Sequence, residues 1–183
     1  MTVVAGRACC KGGRRTLSAM DLRELQRPLK QAYRADPTVA LLTLRATANT
    51  QDSPMACSVD IGRAVYEAQA HAGVGGAGTA ACSGDLLLGA LAACAQVTYQ
   101  MVSTAMGVPV ASVHVEVEGD LDLRGTLGID PTTPVGFSAI RLRFDVDAPE
   151  ATAEQVASVL EKTERYCVVL QTLTSPPIIT VTG

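Results

Sequence analysis

The chain has 183 residues, 48% of them hydrophobic but only 3% aromatic, with no Trp and a formal net charge of −3. That length supplies one domain with a proper core, built from Val, Leu, Ile, Ala and Met rather than rings. The mild acidity excludes a general attraction to nucleic acid or an anionic membrane, and Val3-Val4-Ala5 before Arg7 is too short for a secretory signal, so the cytoplasm is the expected compartment.

The first 19 residues carry Arg7, Lys11, Arg14 and Arg15 with no acid before Asp21, which reads as a solvated leader. Asp21 to Ala35 has a helical stripe of Leu22, Leu25 and Leu29, interrupted by Pro28 and stopped at Asp36-Pro37. Val39 to Ala48 is strand-like. Residues 49–54 are a turn cluster, and Met55, Cys57, Val59 and Ile61 then alternate with smaller or polar neighbours, so a hairpin is expected with Cys57 as a small buried hydrophobe. Val65 to Ala70 adds a short strand. His71 opens a glycine-rich loop through Gly78 whose spacing fits neither a P-loop nor a G-x-G-x-x-G turn, so no nucleotide cofactor is expected.

Ser83 to Gly107 reads as one helix, with Ser83 as N-cap, Asp85 complementing the positive end and Gly107 as the stop. Asp85 is its only charge. Small and apolar residues go all the way round, which predicts a core helix enclosed by other structure; the unbroken apolar run from Leu86 to Ala95 is too short to span a bilayer. After Pro109, Val113, Val115, Val117, Leu121 and Leu123 alternate with His114, Glu116, Glu118, Asp120 and Asp122, and Ile140, Leu142, Phe144 and Val146 repeat the pattern, so two strands pair antiparallel with one wet face. Thr152-Ala153-Glu154-Gln155 is a capping box opening a helix that reaches Cys167; Val168 to Leu173 suggests a short second helix, and Ile178 to Val181 a closing strand.

Cys9, Cys10, Cys57, Cys82, Cys94 and Cys167 are irregularly spaced, and a chain of this size folds without staples, so they are expected to be reduced. Adjacent Cys9-Cys10 and the distant His71 and His114 lack the spacing of a zinc site, and no metal is expected. Electrostatics alone makes Cys82, at the helix start, a candidate thiolate. Cys94 lies ~18 Å further along the axis at ~1.5 Å per residue, so by itself it should have a raised pKa and need a cation from another element.

The run Ser83-Gly84-Asp85-Leu86-Leu87-Leu88-Gly89-Ala90-Leu91-Ala92-Ala93-Cys94, with the later Glu164-Arg165-Tyr166-Cys167-Val168-Val169-Leu170-Gln171-Thr172-Leu173, resembles the OsmC/Ohr family of thiol peroxidases. The likeness covers residues 39–183 and leaves 1–38, leader and first helix, outside it. It implies an α+β fold in which antiparallel sheet wraps a long buried central helix in an intertwined homodimer. It also implies that Cys94 attacks a small hydroperoxide, that Cys167 resolves the sulfenic acid as a disulfide, and that an external dithiol resets the pair, with no cofactor. The acid that the family often carries ten positions before the first cysteine is displaced by one, from Gly84 to Asp85; no Gly-Gly-Arg stretch lies near the first hairpin, leaving Arg45 as the candidate cation; and Val168 stands where a proline often follows the second cysteine. Two other readings stay open: that Cys94 and Cys167 are inert core thiols, and that the chain is a non-catalytic dimer binding a hydrophobic ligand or sensing redox state.

Overall fold

The computed structural model describes residues 65–128 and 130–183, the strands 47–50 and 56–60, and residues 24, 26–28, 31 and 35, which are helical as the leucine stripe predicts. Strands β1 (Thr47–Thr50), β2 (Ala56–Asp60) and β3 (Val65–Gln69) form an antiparallel sheet in that order. The expected hairpin is there, with Thr50 opposite Cys57 and Cys57 opposite Ala68. Nothing is described of the Cys57 side chain. Gln69 ties this sheet to the rest, its N–H donating to the Ala81 carbonyl and its side-chain oxygen accepting from the Thr79 hydroxyl.

Helix α1 (Ser83–Met106) runs for 24 residues and is long and apolar enough to cross a membrane by length and composition. Its cap differs from expectation. Cys82, not Ser83, is the N-cap: its sulfur accepts from the Asp85 N–H at 3.5 Å while the Asp85 carboxylate accepts from the Cys82 N–H at 2.9 Å, a capping box with sulfur in place of a hydroxyl. Gly107 ends the helix in the left-handed conformation, φ 68°, with its N–H on the Ser103 and Thr104 carbonyls.

Within the single chain α1 is covered on one side. Leu91, Ala95, Tyr99 and Ser103 recur every four residues as its buried stripe, whereas Leu87, Val97 and Met101 are exposed. The covering structure is β4 (Ser112–Asp120) paired antiparallel with β5 (Ala139–Asp147), the alternation that the two sequences predict, together with the two helices that follow β5. His114 faces outward, and Gln96 donates to the Val113 carbonyl at 2.9 Å, fastening the helix to the sheet.

Two details depart from the sequence reading. Leu121 and Leu123 do not prolong β4; Asp122 accepts from the Arg124 N–H at 3.0 Å and caps the single turn α2 (Leu123–Thr126), because a short acidic side chain competes for backbone donors. After α3 (Ala153–Tyr166), whose Thr152–Gln155 capping box is as predicted, comes α4 (Val168–Thr174). Residues 176–183 then form no strand: Ile178 and Val181 are 98% and 89% exposed, since β-branched residues favour a ladder but cannot create the neighbour it needs.

Candidate active site

Cys94 stands one position before Ala95 in the middle of α1, so it falls at the border of the buried stripe and is half-buried. Cys167 is brought to it by a one-residue break between two helices. Its N–H ends α3 on the Thr163 carbonyl and its own carbonyl accepts from Gln171 to begin α4, both at 2.9 Å, while its φ of −71° and ψ of 105° turn the chain between them. The side chain is wholly buried and packs with Leu91, Ala95 and Cys94. The two cysteines, 73 positions apart in sequence, therefore share one site.

The two sulfurs differ in character. Burial is the largest influence on Cys94 and pushes its pKa up, yet the Val169 N–H, the Cys167 thiol, the Thr98 hydroxyl and the Val168 N–H all favour the ionised sulfur and together bring it below the ordinary thiol value. Burial also pushes Cys167 up, and its thiol is held protonated by the neighbouring Cys94. The resulting pair has one sulfur that gives up its proton more readily beside one that holds it more tightly.

This corrects the expectation that Cys94 is raised unless a cation reaches it. Neutral donors do the work among the described residues: two amides from the first turn of α4, and Thr98 one helical turn beyond Cys94. Sequence reasoning missed all three. Thr98, four residues after Cys94, carries the one signal that was available, since i and i+4 share a helix face.

Asp85 does not join the pair. It lies nine residues before Cys94, ~13 Å along the axis, and its carboxyl is held below the usual range by the Cys82 N–H and Cys82 thiol, with His71 adding a smaller electrostatic effect. Cys82 is at that same end of α1, a distance that bars it from a disulfide with Cys94 without backbone movement. Arg45, Cys9 and Cys10 lie outside the described residues.

A family described as OsmC-like protein matches residues 76–182, more than half of the chain and inclusive of Cys82, Cys94 and Cys167. No curated protein sequence matches. Among solved structures, an OsmC-like protein from Mycoplasma pneumoniae is similar at 15% identity and TM-score 0.61, over 74% of this chain and 89% of that one. An organic hydroperoxide resistance protein from Elizabethkingia anophelis is similar at 20% identity and TM-score 0.56, over 74% and 91%. A third, described as an organic hydroperoxide resistance protein OsmC from Legionella pneumophila, is similar at 17% and 0.57, again over 74% and 91%. At these identities the likeness establishes an antiparallel-sheet and helix fold.

Proposed function

The chain belongs to the OsmC-like protein family, and from that premise we propose that it is a two-cysteine thiol peroxidase acting on hydroperoxides, organic ones above all. The observation that carries the proposal is the juxtaposition of Cys94, favoured as thiolate, with Cys167, favoured as thiol. A peroxidase needs that division. The Cys94 thiolate attacks one oxygen of the O–O bond; that bond breaks, the other oxygen departs with a proton as an alcohol or water, and Cys94 becomes a sulfenic acid. The Cys167 thiol then attacks the Cys94 sulfur, expelling water and forming a disulfide. An external dithiol restores both thiols by exchange, giving up two electrons and becoming a disulfide itself.

The open side of Cys94 lies on the face of α1 with Leu87, Val97 and Met101, which supports an apolar peroxide over hydrogen peroxide. In the same proposal Arg45 is the cation that adds to the donors around Cys94, and Asp85 fixes the start of the helix that presents it. The working form is a homodimer in the cytoplasm, whose reducing pool keeps the resting thiols free.

The test is oxidation of the reduced protein by one equivalent of cumene hydroperoxide. Two thiols per chain disappear, the intact mass falls by two hydrogens, and peptide mapping finds a Cys94–Cys167 bridge. Cys94→Ser abolishes all three changes, and Cys167→Ser halts at a sulfenic acid that dimedone traps. Peroxide consumption by Cys94→Ser at the parent rate overturns the proposal.

A further inference from the structure

At the N-terminal end of α1, a dozen residues before Cys94, a half-open pocket of about 260 Å³ is bordered by His71, the start of the helix, β4 and Phe137. Its walls are Leu88, Leu121, Leu123 and Phe137, and its polar groups are His71, Cys82 and Asp85. The Phe137 ring forms one wall of it by lying against two glycines: a Cβ at Gly119 would come within 2.6 Å of the ring, and one at Gly84 within 3.3 Å of the ring and 3.5 Å of the Cys82 sulfur. Both positions thus leave the space a side chain would fill to the ring and the thiol.

We propose that this cavity is a second, independent site that takes a small neutral α,β-unsaturated carbonyl compound, with Cys82 as the nucleophile that adds to it. The thiol is a soft nucleophile, half-buried, at a wall of a mostly apolar chamber, and its sulfur already accepts the Asp85 N–H. Beside it stands His71. The Gly73 N–H donates to His71 Nδ1 at 3.0 Å, so the neutral ring carries its proton on Nε2 and keeps a donor for a carbonyl oxygen. Apolar walls and the Asp85 carboxylate disfavour anionic electrophiles and small anionic disulfides. The volume, below the roughly 300–1,000 Å³ of drug-sized ligand sites, sets the guest at a short chain.

The addition is redox-neutral. The sulfur forms a bond to the β-carbon as the C=C π bond breaks, the thiol releases its proton to solvent, and one proton from solvent ends on the α-carbon. No oxidant or reductant enters.

The probe is 3-hepten-2-one on the full-length reduced protein, followed by intact mass and peptide mapping, with rates normalised to N-acetylcysteine. One adduct per chain is expected at Cys82, formed about tenfold faster than on the free thiol, the gain from burying roughly two methylenes. Cys82→Ser should lose it while keeping the fold, since serine is a good N-cap; Cys94→Ser should keep it. Leu123→Asp places a charge in the wall and should return the rate at Cys82 to the free-thiol value, leaving iodoacetamide labelling of Cys82 unchanged. A Cys82 rate equal to that of N-acetylcysteine, adducts mainly on other thiols, or an unaltered enone rate in Leu123→Asp would each overturn the site.

Discussion

The thiol of Cys167, wholly buried where α3 gives way to α4, lies against Cys94 in the middle of α1, and each contributes to the ionisation of the other. Neither helix alone produces the pair. Cys94 gains its donors only because α4 begins at Cys167, so the residue that contributes the second thiol also delivers the Val168 and Val169 amides.

The first prediction concerns pH. Cys94 is below and Cys167 above the ordinary thiol value, so as pH rises Cys94 ionises first and Cys167 last. Alkylation of Cys94 by iodoacetamide should therefore set in at a lower pH than that of an ordinary cysteine, while Cys167 stays unlabelled until above the normal range. Cys167→Ala removes a donor and should move the Cys94 midpoint upward. An unchanged midpoint would show that the two sulfurs are not in communication.

The second prediction isolates Thr98. Thr98→Val keeps the shape and deletes the hydroxyl, one of four donors to the Cys94 sulfur. A hydrogen bond to a charged group is worth ~1.5–3 kcal/mol, so with the other donors and solvent sharing the load about 1 kcal/mol is expected, a roughly fivefold slower alkylation at neutral pH. Thr98→Ser should restore most of it. Identical pH profiles for parent and Thr98→Val would assign the hydroxyl no part in activation.

Much of this fold is legible because its elements are one-sided. The alternation at Val113–Val117 and Ile140–Val146 has one dry and one wet face, so strand, partner and orientation follow from the residues. Ile178 and Ile179 were misleading for the complementary reason: propensity describes a residue, whereas a strand requires a neighbouring edge. Cys82 displaced Ser83 at the cap because either side chain can accept the needed N–H, and one-residue boundaries are beyond pattern reading. At the candidate site, Cys94 and Cys167 were singled out through the paired motifs, and the structure packs them together. The amides of Val168 and Val169 could not be, since every residue but proline carries an N–H and only geometry says where it points.

The third prediction is a stabilising change. Tyr99 is completely buried, its ring 5.6 Å from that of Phe144, and its hydroxyl has no hydrogen-bond partner among the described residues. Its pKa is raised by burial. Leaving a buried hydroxyl unsatisfied costs ~1–3 kcal/mol, so Tyr99→Phe, which keeps the ring contact, should stabilise by about 1 kcal/mol. For a domain of this size that is roughly 2–4 °C in Tm. Thermal unfolding followed by circular dichroism checks it, and a lower Tm would mean that the hydroxyl has a partner in solution.

The last prediction addresses the uncovered side of α1. Leu87, Val97 and Met101 are exposed in the single chain, with Val97 at 52% and Met101 at 41%, and Cys94 lies among them at helical spacing. Asp85 is the helix's only charge, at its first turn, so nothing along the rest of that face repels a second copy. Two chains meeting there would cover both apolar faces and narrow the open side of each Cys94 to a cleft between them, drying the surroundings of the sulfur. The parent protein should sediment as a dimer at micromolar concentration. Val97→Asp or Met101→Asp would force a carboxylate into the contact at a cost of ~3 kcal/mol, weakening association at least about 100-fold, while the Cys94–Cys167 pairing within each chain is untouched. Sedimentation velocity distinguishes the outcomes: a monomeric parent, or dimeric aspartate variants, would place the interface elsewhere.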